Sequence, residues 1–217
     1  MTQTILYIHG MGGGSSSRIP NLLDTYFREQ GIPLHVVCPT YDFDPEVAHH
    51  FLLEQVRDLK PSLIIGESLG AIHALRIPEI PKLLVSPALG GPKRLCRLAP
   101  WTLIPGVSWI CRRFIWHVKY PDRQQLRFRY RILRHYGPHY EALLAQAAFA
   151  AEGCLGPVHA FIGTRDHYLR SGVVDPDLWA QLYGADTLTR YEGTHYMEEG
   201  PIREYLIPAI LRTAGGL

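Results

Sequence analysis

The fold turns on residues 62–75, Ser62-Leu63-Ile64-Ile65-Gly66-Glu67-Ser68-Leu69-Gly70-Ala71-Ile72-His73-Ala74-Leu75. A short apolar run of strand character ends in a G-x-S-x-G turn, and a second apolar segment of helical character follows it. Glycines on both sides of Ser68 allow a backbone that other residues resist, and the turn lifts the serine hydroxyl above the end of the strand. Working outward, similar runs recur at residues 5–8, 34–37, 83–85, 158–162 and 187–191. Runs of this length, bounded by Gly or Pro, suit strands buried on both faces of a parallel sheet. Between them the pattern is helical. Residues 45–59 place Val47, Phe51, Leu52 and Val56 near helical spacing, with Pro45 in the first turn and Asp44 as N-cap. Beyond Pro201, Ile202, Tyr205, Leu206, Ile210 and Leu211 form another apolar stripe. Alternating strands and helices predict a single α/β domain over residues 1–217, three layers deep, with a mainly parallel sheet.

Residues 90–153 break that rhythm. The expectation is an inserted, mostly helical cap over the carboxyl edge of the sheet. Val107, Ile110, Cys111, Phe114, Ile115 and Val118 follow a helix face, with Arg112, Arg113, Trp116 and Lys119 opposite. Residues 126–132 alternate apolar side chains with Arg127, Arg129 and Arg131, a period of two that leaves helix or strand open.

A serine hydroxyl is a weak nucleophile until a base takes its proton. Among the eleven histidines, His195 stands out, because Gly193-Thr194-His195 follows the last predicted strand and precedes the last helix. The carboxyl ends of strands are where α/β sites gather. A carboxylate to orient that histidine is expected after the preceding strand, where Gly163-Thr164-Arg165-Asp166 offers Asp166. Asp175 and Asp177 are its competitors, in what reads as a helix start that favours acids for its own reasons. Amide donors for an oxyanion are expected from Met11, in the turn His9-Gly10-Met11-Gly12, and from Leu69 directly after the serine. His9 reads as a residue that holds this turn. Glu67 reads as a neighbour whose side chain points away from Ser68.

These elements resemble the α/β-hydrolase superfamily over nearly the whole chain apart from the cap, including the chain order Ser68, Asp166, His195. Within it, the chain is similar to the small bacterial YqiA-like esterases. The shared features are a first strand with no preceding hairpin, the loop Ser15-Ser16-Ser17-Arg18 and the tripeptide Ser86-Pro87-Ala88, where that family usually has Asn-Pro-Ala. The resemblance implies esterase or thioesterase chemistry on acyl substrates, with no cofactor. The cap departs from it, being longer, more basic and richer in tryptophan.

Composition narrows the rest. Apolar residues at 47% and charged ones at 19% exclude a disordered or fibrous chain. Four scattered cysteines have neither the density of a disulfide framework nor metal-ligand spacing, so reduced thiols, no metal and a cytoplasmic setting are expected. Residues 1–4 lead straight into the first strand without a secretory signal, and residues 101–118 are too short and too charged to span a bilayer. The formal net charge of +2 hides an asymmetry. Residues 92–136 hold eleven Lys/Arg and one acid, Asp122, for +10; the remainder holds eleven and nineteen, for −8.

Four readings of the basic segment stand side by side. Arg112, Arg113, Trp116, Arg127 and Arg129 bind an anionic acyl ester or thioester, or the cap contacts an anionic lipid surface. Alternatively, Arg127-Phe128-Arg129-Tyr130-Arg131 binds nucleic acid, or the arginines only pair with the acidic core. Nucleic acid is not expected. The expected function is a serine hydrolase cleaving a carboxylic ester or thioester through an acyl-enzyme. Its rivals are a peptidase, amidase or C–C hydrolase with the same triad, and a non-catalytic binding module that docks through the basic cap. The oligomeric state is left open.

Overall fold

The computed structural model describes residues 2–110, 113, 122–150 and 156–215. Each apolar run becomes a strand: β1 Gln3–Ile8, β2 Leu34–Val37, β3 Leu63–Glu67, β4 Lys82–Val85, β5 Val158–Gly163 and β6 Leu188–Tyr191. They form one sheet in the order β2-β1-β3-β4-β5-β6, every pairing parallel.

The runs are continuous because both faces are covered. Leu6, Ile8, Ile64, Leu84 and Ala160 face one apolar cluster, while Ile5, Tyr7, Leu63, Ile65, Leu83 and Phe161 face the other. Alternation within each strand sends neighbouring side chains to opposite layers. The second layer is built by α1 (Arg18–Glu29) and α8 (Ile207–Gly215), through Leu23, Phe27 and Ile210. On the first lie α2 (Pro45–Leu59), α3 (Leu69–Leu75), α6 (Tyr130–Ala150) and α7 (Pro176–Tyr183). Helix α2 has the predicted bounds, and the Asp44 carboxylate accepts from the Glu46 N–H at 3.1 Å as its N-cap. Helix α3 is buried along its whole length.

Between β4 and β5 the described residues are mostly helical: α4 (Gly91–Leu98), a 3-10 turn (Ala99–Leu103), α5 (Val107–Ile110) and α6. Helix α6 differs from the expectation of a cap over the sheet edge. Its Leu133, Tyr136 and Leu143 are buried in the first-layer cluster, where it packs beside α2, α3, α4 and α7. The alternating stretch is neither helix nor strand over residues 124–129. It runs extended, with Leu126 and Phe128 buried and Arg127 and Arg129 outward, and α6 begins at Tyr130. Trp101, Leu103, Ile104, Trp109 and Ile110 are all exposed, including Ile110, which the helical pattern assigned to an apolar face. Of that pattern, Cys111, Arg112, Phe114, Ile115, Trp116, Val118 and Lys119 lie outside the described residues. Among the described residues, no helix is long and apolar enough to cross a membrane.

Strand order reverses between β1 and β3, so the turns that follow them leave for opposite sides and open a crevice at the carboxyl edge.

Candidate active site

Ser68 lies in that crevice, in the turn from β3 to α3, with φ 51° and ψ −114°. A non-glycine residue held there carries strain of about 1–3 kcal/mol. The surroundings enforce it. The Ser68 N–H donates to the Val85 carbonyl at 2.9 Å, and its carbonyl accepts from the Ala88 N–H at 3.1 Å. Both glycines of the motif are required by space. A Cβ on Gly70 would lie 2.2 Å from the Ile8 carbonyl oxygen, and one on Gly66 would lie 2.7 Å from the Ala71 Cα.

The histidine and the acid arrive from the other end of the sheet. A Cβ on Gly163 would lie 2.5 Å from the Gly193 carbonyl oxygen, so the turns after β5 and β6 touch backbone to backbone. The Thr164 N–H donates to the Tyr191 carbonyl and the Arg165 N–H to that of Gly193, both at 2.9 Å. This contact brings Asp166 against His195. His195 Nδ1 lies 2.7 Å from Asp166 Oδ2, and Nε2 lies 3.0 Å from Ser68 Oγ. Facing a carboxylate, Nδ1 carries the proton, which leaves Nε2 to accept from the serine hydroxyl. The second oxygen of Asp166 accepts from the Tyr168 N–H at 2.8 Å, and both Asp166 and His195 are buried. Asp175, the competitor, is instead the N-cap of α7, accepting from the Leu178 N–H. Ser86, at φ 47°, donates from its hydroxyl to the His195 carbonyl at 3.0 Å and fixes the histidine from behind.

The turn after β1 faces Ser68. The Gly13 N–H donates to the Gly10 carbonyl at 3.0 Å across Met11 and Gly12, and Gly12 takes the positive φ of 74° that this reversal needs. The amide N–H groups of Met11 and Leu69 find no acceptor among the described residues. His9 stacks on Tyr41 at 4.3 Å, and its carbonyl accepts from the Tyr41 hydroxyl. Burial pushes the His9 pKa down to about 4, so it is a neutral packing residue at ordinary pH.

A cavity of about 510 Å³ opens over Ser68 and His195. Leu69, Ala88, Leu95, Leu98 and Val173 give it an apolar wall, and Tyr168 and Tyr196 flank the histidine. Glu67 is also among the lining residues. Its Oε2 accepts from the Tyr7 hydroxyl at 2.7 Å, and burial is the main cause of its raised pKa.

Ser68, Asp166, His195, Met11 and Leu69 are therefore brought together, whereas Arg113, Arg127 and Arg129, expected to bind substrate, are not. Arg127 is turned outward, 3.5 Å from Asp42, and Arg129 is exposed. Neither these two nor Arg113 lines the cavity, and Arg112 and Trp116 lie outside the described residues. The arginines that do line it are Arg18, Arg94 and Arg123. Sequence reasoning quoted Arg18 only as a loop feature and counted the other two only as charge.

Asp44, Glu46 and His135 are a group of metal-ligand type whose donor atoms converge away from the cavity. His135 Nδ1 lies 2.8 Å from the Asp44 carboxylate and 3.4 Å from that of Glu46, at the start of α2.

A parallel sheet clad by helices on both faces, with its serine turn after β3, is the fold of the α/β-hydrolases. Est1E from Butyrivibrio proteoclasticus, solved with bound ferulic acid, matches with a TM-score of 0.62 at 15% identity, over 98% of this chain and 90% of that one. MenH from S. aureus matches with a TM-score of 0.55 at 13% identity, over 98% and 94%. Epoxide hydrolase A from Mycobacterium thermoresistibile gives 0.54 at 15% identity, over 99% and 92%. The likeness is one of fold. No protein-family model and no curated protein matches the chain.

Proposed function

We propose that this protein is a serine hydrolase that cleaves a carboxylic ester or thioester through an acyl-enzyme. The observation that carries the reading is the pair of contacts His195 makes, 3.0 Å to Ser68 Oγ and 2.7 Å to Asp166 Oδ2. Ser68 attacks the carbonyl carbon while His195 Nε2 takes its proton. Asp166 holds the Nδ1–H and stabilises the imidazolium as it forms. The Met11 and Leu69 amides donate to the oxyanion of the tetrahedral intermediate. Its collapse expels an alcohol or thiol, which receives the proton from His195. A water deprotonated by the same nitrogen then releases the acid and restores Ser68. All of these steps use groups of the chain and water.

Replacing Ser68 by Ala removes the nucleophile and leaves the turn to the surroundings that impose it. The variant is expected to lose turnover of a p-nitrophenyl acyl ester and labelling by a fluorophosphonate, with its thermal unfolding retained. Undiminished turnover would overturn the reading. A folded wild-type protein that resists the fluorophosphonate would point to the non-catalytic binding module, and faster turnover of an anilide than of the matching ester would point to an amidase.

A further inference from the structure

Three arginines line the cavity that holds Ser68, and they come from three separate segments. Arg18 opens α1 directly after the loop that follows β1, and its Nη2 donates to the carbonyl of Met197, two residues beyond His195. Arg123 is fixed on the far side of the same loop, where its backbone bridges Gly14. Its neighbour Gln124 locks that contact, since the Gln124 N–H donates to the Gly13 carbonyl at 2.7 Å and Oε1 accepts from the Gly12 N–H at 3.0 Å. Arg94 stands on α4, next to Leu95 of the apolar wall.

Two of these charges are felt, as minor contributions beside burial, at residues next to the reacting atoms. Arg18 acts on Glu67, the residue before Ser68, and Arg123 acts on His9, the residue before Gly10. Among the described lining residues one carboxylate, Glu67, stands against the three arginines, and it is engaged with Tyr7. An apolar wall alone suits a plain fatty ester. Arginines from three segments around the same space do not, because a guanidinium favours an anionic oxygen group placed against it.

We propose that the cavity is built for an ester or thioester that carries a second, anionic group, a carboxylate or a phosphate, which Arg94 and Arg123 bind while Ser68 attacks the carbonyl. Arg18, held by Met197, adds its charge from the third segment. This rests on the serine-hydrolase reading, since the carbonyl at Ser68 fixes where the anionic end falls.

The test compares kcat/KM for three p-nitrophenyl esters: the monoester of adipic acid, its neutral methyl-capped diester, and the ester of 6-phosphonohexanoic acid. Read in wild type and in Arg94→Gln and Arg123→Gln, the ratio of anionic to neutral ester serves as its own control for folding. A preference of about tenfold is expected for at least one anionic ester, reduced at least by half in each variant. The ester that shows it tells a carboxylate from a phosphate. A wild-type ratio near or below one, or a ratio that neither variant alters, overturns the anion subsite and leaves the hydrolase standing. If no ester is turned over and the fluorophosphonate leaves Ser68 unlabelled, the hydrolase reading itself has failed. Calorimetry with 6-phosphonohexanoic acid amide then decides the subsite. Saturable binding weakened in both variants sustains it, and absence of binding overturns it.

Discussion

Ser86 touches neither the cavity nor the reacting atoms, yet its hydroxyl is the hydrogen-bond donor behind the base. It is fully buried, and its partner is the carbonyl of His195. Leaving a buried acceptor unpaired costs about 1–3 kcal/mol. Ser86→Ala is expected to pass part of that cost, about 0.7–1.4 kcal/mol, to the reaction and so to lower kcat on a p-nitrophenyl ester by about threefold to tenfold, with KM little changed, because the loss falls on the placement of His195 and not on substrate contacts. An unchanged kcat would show that the β5 and β6 turns hold the histidine unaided. At this scale the sequence was legible where residue type and strand end coincide. Ser68, Asp166 and His195 each close an apolar run. Nothing local in the sequence unites Arg18, Arg94 and Arg123; only the folded chain brings the start of α1, α4 and the approach to α6 around one space. Arg127 and Arg129 misled for the opposite reason. An extended backbone of period two buries Leu126 and Phe128, and so turns the alternate arginines to solvent.

Helix α2 illustrates how far punctuation can be read from sequence. Asp44 and Pro45 mark its start, and its first layer contacts come from Ala48 and Leu52. Its end is less favourable. Lys60 closes it at φ 46° and ψ 57°, donating its N–H to the Val56 carbonyl, in the left-handed region where a Cβ is crowded. Lys60 is exposed, so little else depends on its side chain. Lys60→Gly is expected to stabilise the fold by about 0.5–1 kcal/mol, read as a higher urea midpoint with an unchanged slope. A lower midpoint would mean that the greater freedom of glycine in the unfolded chain outweighs the relief. The elements between β4 and β5 were the least legible. Helix α6 reads as polar-rich and irregular, with Pro138 inside it, and only its packing against α2 and α4 explains which residues it buries.

Across the whole molecule, the first layer encloses an uncommon number of imidazoles. His73 packs against Tyr41 and His139, and His139 against Arg76 and His49. Burial lowers the pKa of His9 and His49 to about 4 and of His73 to about 3, and that of His139 lower still. Because these folded-state values lie below the unfolded value of 6.5, the unfolded chain binds more protons throughout the interval. Their contribution to stability is full above that value and is lost as pH falls toward 4 and then 3. Each fully buried histidine tilts the balance by up to about 1.4 kcal/mol per pH unit. Glu67, raised by burial, works in the opposite sense, one group against several. The urea midpoint is expected to fall steeply between pH 6.5 and 4.5, and a flat or rising midpoint there would contradict it.

The parallel sheet has one more consequence, in the order of events during synthesis. No neighbouring strands are joined by a hairpin, so every ladder waits for a crossover to close, and β4 pairs with a β5 separated from it by the whole inserted segment. Ser68 emerges early, and His195 arrives only with the turn after the last strand. A ribosome-bound chain short of β6 holds the serine turn but no base to serve it. In the proposed mechanism the last strand to be synthesised is thus also the one that brings the base to the serine, and hydrolytic competence becomes a report on completed synthesis.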